Sequence, residues 1–120
     1  TEINMKHAIL CVDDESDNVD ALERLFRRHY RVLKATSGKQ ALDLLAKNQV
    51  TVIISDQRMP NMSGVEFLAE SIKTHPSAIR ILLTGYTDIE AVISAINAGQ
   101  IYRYVTKPWD PVDLANAVEK

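Results

Sequence analysis

Cysteine is almost missing from this chain: Cys11 stands alone among 120 residues. An internal disulfide is therefore excluded, and a lone thiol inside an apolar stretch reads as a small buried hydrophobe rather than a reactive group. An excess of either charge is missing too. Lys and Arg number 14 against 16 Asp and Glu, a formal net charge of -2. That balance leaves no basic footprint, so direct nucleic-acid binding is not expected. No apolar run is long enough to span a bilayer and no signal-peptide pattern opens the sequence, so no membrane role is expected. Low-complexity tracts, internal linkers and repeats are also lacking. What is there is ordinary: 46% hydrophobic and 25% charged residues, the composition of a globular domain. The length suits one domain over 1–120 with a real core, and is too short for two. The sequence opens on Thr1, and Lys120 falls within a helical pattern, so we expect a piece of a longer protein.

Short apolar runs alternate with helical patterns. His7 to Val12 reads as a first buried strand, followed by a helix capped by Ser16 or Asp17 with Val19, Leu22, Leu25 and Phe26 at helical spacing. Arg31 to Ala35 is a less apolar strand suited to a sheet edge. Ser37-Gly38 opens a helix carrying Ala41, Leu44 and Leu45. Val50 to Ile54 is a third strand, rich in β-branched residues, with Asp56 at its downstream end. The loop with Pro60, Asn61 and Gly64 leads to a helix with Val65, Leu68 and Ile72, ended by His75-Pro76. Ile79 to Leu83 is a fourth strand, followed by a helix capped by Asp88, carrying Ile89, Val92, Ile93 and Ile96, and stopped at Gly99. Ile101 to Thr106 is a fifth strand. Asp110-Pro111 starts a last helix, with proline where its missing N–H is harmless and Leu114 and Val118 facing inward.

Five strand–helix repeats imply a three-layer α/β/α, doubly wound fold with a parallel five-stranded sheet. The common flavodoxin-like order 2-1-3-4-5 places strands one and three side by side at the topological switch point. Neighbouring strands lie about 4.8 Å apart, so Asp13 and Asp14 would stand beside Asp56 on one rim. Three clustered carboxylates repel unless protons or a cation neutralise them. A hard divalent ion with oxygen ligands fits, and Mg²⁺ suits a site that keeps waters and leaves room for a phosphate oxygen. The fourth strand delivers the Thr84 hydroxyl to the same rim, and the fifth delivers the Lys107 ammonium, a point charge for phosphate or carboxylate. Together these groups suit phosphoryl transfer, in which the protein mainly positions groups and neutralises charge.

Taken singly, each residue has a plain explanation. Asp13-Asp14-Glu15 reads as a solvated acidic turn, Asp56 as a loop cap, Thr84 as a turn residue and Lys107 as a surface lysine. Met59 and Met62 read as loop packing. All four chemical groups, however, fall immediately after predicted strands on one rim, and four plain explanations would have to coincide there.

The motifs D-D-E at 13–15, S-D-Q-R-M-P-x-M-S-G at 55–64, L-T-G-Y at 83–86 and T-K-P-W at 106–109 give the chain its resemblance to the response-regulator receiver domains of two-component signalling. The resemblance covers about His7 to Lys120. It implies that Asp56 accepts a phosphoryl group from a sensor histidine kinase or a phosphotransfer protein. It further implies that Asp13, Asp14, Asp56 and the backbone carbonyl of Arg58 hold Mg²⁺, with Mn²⁺ as a substitute. Lys107 would pair with the acceptor and then with the phosphoryl group, and Thr84 would bind a phosphoryl oxygen. Tyr104 would be the aromatic partner of Thr84 in a switch whose output is the surface of the fourth helix, fifth strand and last helix. The Lys107–Pro108 bond would be cis. Arg58 and Tyr86 would tune the phosphoryl lifetime by controlling attacking water. Such a domain turns over no external substrate. The wording is closest to receivers of NtrC-class hydrogenase-type regulators or of cyclic-di-GMP phosphodiesterases. That implies a bacterial, cytoplasmic setting, a C-terminal output domain and a homodimer through the switch surface.

Three rival functions are open on the residues alone. A haloacid-dehalogenase-type phosphatase also uses a strand-end Asp with Mg²⁺, but it wants D-x-D, and Arg58 stands two after Asp56. A flavodoxin-like cofactor binder wants a Ser/Thr/Gly-rich loop after the first strand, where Asp13-Asp14-Glu15 would repel a phosphate. A pseudo-receiver acting only as a docking module would have no need of the full Asp, Thr and Lys set.

Overall fold

The computed structural model describes residues 7–85, 89–98 and 103–119. Ten elements alternate: β1 (Ala8–Val12), α1 (Ser16–Phe26), β2 (Arg31–Ala35), α2 (Gly38–Lys47), β3 (Val52–Asp56), α3 (Gly64–Ser71), β4 (Ile79–Thr84), α4 (Ile89–Asn97), β5 (Arg103–Thr106) and α5 (Pro111–Glu119). The strands form one parallel sheet in the order β2-β1-β3-β4-β5, as expected from the repeat pattern. Side chains alternate between the two faces. Leu10, Val12, Ile53 and Leu82 pack with Leu45, Phe67, Leu68 and Val92 of α2, α3 and α4. Ile9, Cys11, Ile54, Ile81 and Leu83 pack with Val19, Leu22, Phe26 and Leu114 of α1 and α5. Helices thus cover both faces, and the strands can be apolar throughout. Cys11 is fully buried, and that burial, with Glu23 nearby, pushes its thiol up to about 12. No helix among the described residues is long and apolar enough to cross a membrane.

Local chemistry explains most of the boundaries. Ser37 accepts a hydrogen bond from the Gln40 N–H and caps α2. Ser63 and Glu66 form a reciprocal capping box on α3, which satisfies two donors that a helix start leaves orphaned. Asp110 Oδ1 accepts from the Val112 and Asp113 N–H groups at 2.8 and 3.3 Å, the cap expected ahead of Pro111. The expected residues Asp88, Gly99 and Ile101 lie outside the described residues.

Several boundaries differ from expectation: β1 starts at Ala8 rather than His7, and β4 runs on to Thr84 rather than ending at Leu83. Strand β3 runs from Val52 to Asp56 rather than Val50 to Ile54. Apolarity stops at Ile54, but the ladder to β4 continues through the Asp56–Leu83 pair, so the acceptor candidate belongs to the strand itself. Helix α1 is capped by Glu15, with no side-chain cap bond, instead of Ser16 or Asp17. Here the Asp13 carboxylate accepts the Glu15 N–H at 3.0 Å and ties the helix entry to the sheet rim. Helix α3 ends at Ser71 rather than at His75-Pro76, with Ile72 as its C-cap. Past that end, buried Arg80 on β4 donates to the carbonyls of His75 and Pro76 at 2.7 and 3.2 Å. A long-range tie of this kind leaves no trace in local sequence.

Candidate functional site

Parallel register decides which residues meet. Val12 pairs with Ser55, Asp56 with Leu83, and Thr84 with Thr106, so the strand ends finish level. Asp13 and Asp14 follow β1, Asp56 closes β3, Thr84 closes β4 and Lys107 follows β5. Oxygens from Asp13, Asp14 and Asp56 lie within 4.8 Å of one another. Asp13 and Asp56 are buried at 2% and 3% exposure, whereas Asp14 is exposed. The Lys107 ammonium lies 2.5 Å from Asp56 Oδ1. The two form a salt bridge in which buried Asp56 meets the partly exposed Lys107 side chain. Burial lowers the Lys107 pKa, but the Asp56, Asp13 and Glu15 carboxylates outweigh it, and the pKa stands above its ordinary value.

Asp13 carries the electrostatic cost of this crowding. Burial pushes its carboxyl up to about 6; the neighbouring Asp56 charge adds to that, while the bond from Glu15, Lys107 and Asn18 oppose it. The folded pKa is raised above that of the unfolded chain. From about pH 4 to about pH 6 the folded protein therefore holds a proton that the unfolded chain has lost, and stability falls as pH rises through that window. Above it the penalty is fully expressed, at most ~3 kcal/mol. In EDTA, Asp13→Asn is thus expected to exceed wild type in stability at pH 7.5 and to match it near pH 4.5. Urea unfolding at both pH values checks this, and equal stability at pH 7.5 would contradict it.

The remaining predicted residues are placed as follows. Thr84 is buried and its hydroxyl donates to the Gly85 carbonyl at 3.2 Å, while its own carbonyl accepts the Lys107 N–H at 2.9 Å. Tyr104 is half-buried, pairs with Leu82 and packs against the core beneath α2, α3 and α4. Arg58 is exposed and lines a cleft with Asp14, Gln57, Met59, Pro60 and Ser63. Tyr86 lies outside the described residues. The Lys107–Pro108 bond is cis. Met59 and Met62 pack against the core as expected of loop residues.

Three residues were not singled out from sequence for what they do here. Gly64 packs so closely on Asp56 that a Cβ would lie 2.3 Å from the Asp56 carbonyl oxygen. Gln57 fastens the loop: its carbonyl accepts the Gly64 N–H and its side chain accepts the Val65 N–H, each at 2.9 Å. Asn18 donates to Asp13 Oδ2 at 3.2 Å and to Glu15 Oε1 at 3.4 Å. For Asn18 a signal existed, since Glu15 and Asn18 are three apart at a helix start, where side chains meet.

Residues 9–119 match the family model described as the response regulator receiver domain. Over 93% of its length the chain is 44% identical to the hydrogenase transcriptional regulatory protein HoxA of Cupriavidus necator, of which the match covers 23%. The chain spans about a quarter of the length of that protein and of the transcriptional regulators next in similarity. A solved signal receiver domain of an HD domain-containing protein from Pseudomonas fluorescens Pf-5 superposes with a TM-score of 0.88 at 39% identity, covering 95% of this chain and 92% of that one. A response regulator protein from Burkholderia pseudomallei, solved with a phosphorylated aspartic acid, calcium ion and citrate, superposes with a TM-score of 0.84 at 29% identity, covering 94% and 66%.

Proposed function

The chain belongs to the response regulator receiver family, and on that premise we propose that it is a phosphorylation-activated signalling switch with Asp56 as the phosphoacceptor. Receiver domains are signalling domains of two-component systems rather than enzymes acting on external substrates. One observation carries the reading: buried Asp56 meets the Lys107 ammonium and shares one rim with the oxygens of Asp13 and Asp14, all three carboxylates lying within 4.8 Å of one another.

The donor set fits a hard cation, being all oxygen and strongly anionic, and the bare cluster is electrostatically costly. Asp13, Asp14, Asp56 and the Arg58 carbonyl would hold Mg²⁺, with Mn²⁺ substituting. When bound, the ion would neutralise charge between the anionic acceptor and an anionic donor. Asp56 attacks as a carboxylate nucleophile: an O–P bond forms as the P–N bond of a phosphohistidine breaks. The departing imidazole keeps that bond's electron pair and takes up a proton. Lys107 is already in contact with the acceptor and follows the charge onto the phosphoryl oxygens, and the Thr84 hydroxyl turns from Gly85 to bind one of them.

Phosphorylation adds roughly -1.5 to -2 charge at one point. Thr84 moving inward vacates space for Tyr104, which shifts an existing equilibrium of the α4-β5-α5 surface. By analogy with the family, Arg58 and Tyr86 would tune the phosphoryl lifetime by controlling attacking water. The hydrogenase regulators HoxA and the transcriptional regulator GlrR are about four times as long as this chain. By analogy, residues 1–120 are the receiver of a longer cytoplasmic regulator with a C-terminal output domain, a sensor histidine kinase as phosphodonor and a homodimer contact through α4-β5-α5. The test is intact mass after incubation with acetyl phosphate. We expect one added phosphate with Mg²⁺, none with EDTA, and loss of the adduct to hydroxylamine. Continuous turnover of the donor without an adduct would overturn the reading in favour of a phosphatase.

A further inference from the structure

We infer that Asn18 is a positioning residue for the metal: acting through Asp13, its side-chain amide sets the affinity of the carboxylate cluster for Mg²⁺. This rests on the reading of that cluster as a Mg²⁺ site.

Both Asp13 oxygens are held from the protein side. Oδ1 accepts the Glu15 N–H at 3.0 Å and Oδ2 accepts Asn18 Nδ2 at 3.2 Å. Each carboxylate oxygen has two lone-pair sites, so one donor apiece fixes the group and leaves capacity for a cation. Asn18 is itself held by Glu15 Oε1 at 3.4 Å. The orientation of its amide is compelled, because the opposite flip would set a carbonyl oxygen against two carboxylates.

The choice of residue type matters as much as its place. A lysine or arginine at this position would neutralise Asp13 and compete with the metal, and a carboxylate would add a fourth negative charge to the group. An apolar side chain would leave a buried anionic oxygen without its donor. A neutral donor orients the ligand and leaves its charge for the ion, as hydrogen-bonded partners of metal ligands generally do. Asn18 also lines the cleft shared by Asp13, Lys107, Pro108 and Trp109, so its amide steadies Asp13 from beside the site and leaves the Asp14 side open.

The experiment is titration of MgCl₂ into metal-free wild type, Asn18→Leu, Asn18→Ala and Asn18→Gln by calorimetry, with phosphorylation by acetyl phosphate followed over a range of Mg²⁺. Asn18→Leu and Asn18→Ala are expected to weaken Mg²⁺ binding roughly ten-fold or more. Their phosphorylation rates recover to within about two-fold of wild type at saturating Mg²⁺, and Asn18→Gln regains most of the affinity. Unchanged Mg²⁺ affinity in both truncations, or a lowered saturating rate with unchanged affinity, would overturn the inference. If wild type binds Mg²⁺, Asp13→Asn does not, and Asn18→Ala binds as wild type, this inference alone falls. If wild type itself does not bind Mg²⁺, the Mg²⁺ site falls with it.

Discussion

Asp56→Asn is expected to reduce phosphoryl uptake from acetyl phosphate or a phosphorylated kinase to below detection. An amide oxygen is a poor nucleophile and cannot form the acyl phosphate that a carboxylate forms. The nearby carboxylates offer no substitute. Asp14 is exposed, and both oxygens of Asp13 already accept protein hydrogen bonds. Of the three carboxylates, Asp56 is the one that combines burial with a salt bridge to Lys107. The substitution also removes one negative charge from the cluster, so Mg²⁺ affinity should fall in the same variant. Radiolabel incorporation and Mg²⁺ calorimetry on one preparation check both effects, and residual labelling near the wild-type level would contradict the assignment of the acceptor.

Gly64→Ala is expected to damage both the fold and the site. A Cβ there would lie 2.3 Å from the Asp56 carbonyl oxygen, 3.0 Å from its carbonyl carbon and 2.7 Å from Leu82 Cδ1. Leu82 can shift, but the backbone of Asp56 is held in the ladder to β4 and cannot yield cheaply. Overpacking of this kind costs about 1–3 kcal/mol, and contact with backbone puts Gly64→Ala at the upper end. A fall of roughly 10 °C in melting temperature follows for a domain of this size. Because the displaced atoms belong to Asp56, the proposed acceptor, the initial rate of phosphorylation should fall as well. Thermal melts and a phosphorylation time course measure the two effects. A variant that melts and phosphorylates like wild type would show that the loop relaxes without moving Asp56.

What sequence made legible here follows a physical division. Period-2 and period-3.6 patterns report burial, so the ten elements and the parallel topology were readable from residues such as Val52–Ile54 and Leu22–Phe26. Strand-end placement then brought Asp13, Asp14, Asp56, Thr84 and Lys107 to one rim without any coordinates. Hydrogen bonds across long separations were not readable. The ladder that carries β3 on to Asp56 is set by β4, and the His75-Pro76 segment past α3 is tied by Arg80 of β4. Helix α1 takes Glu15 as its N-cap, where Asp13 accepts the Glu15 N–H, a site residue overriding the local preference for Ser16 or Asp17. Asn18 and Gln57 were missed for a related reason: each acts through a neighbour, and although the spacing of Asn18 from Glu15 hinted at their contact, nothing local to the sequence joins Asn18 to Asp13 or Gln57 to the Gly64 and Val65 N–H groups.

The most direct measurement of the acceptor is chemical mapping of the adduct. Protein exposed to acetyl phosphate and Mg²⁺ is reduced with borohydride, which converts an aspartyl phosphate to homoserine, then digested and sequenced by mass spectrometry. The account predicts homoserine at position 56 and nowhere else, and none when Mg²⁺ is withheld. Homoserine at 13 or 14, or an adduct formed equally well in EDTA, would contradict it.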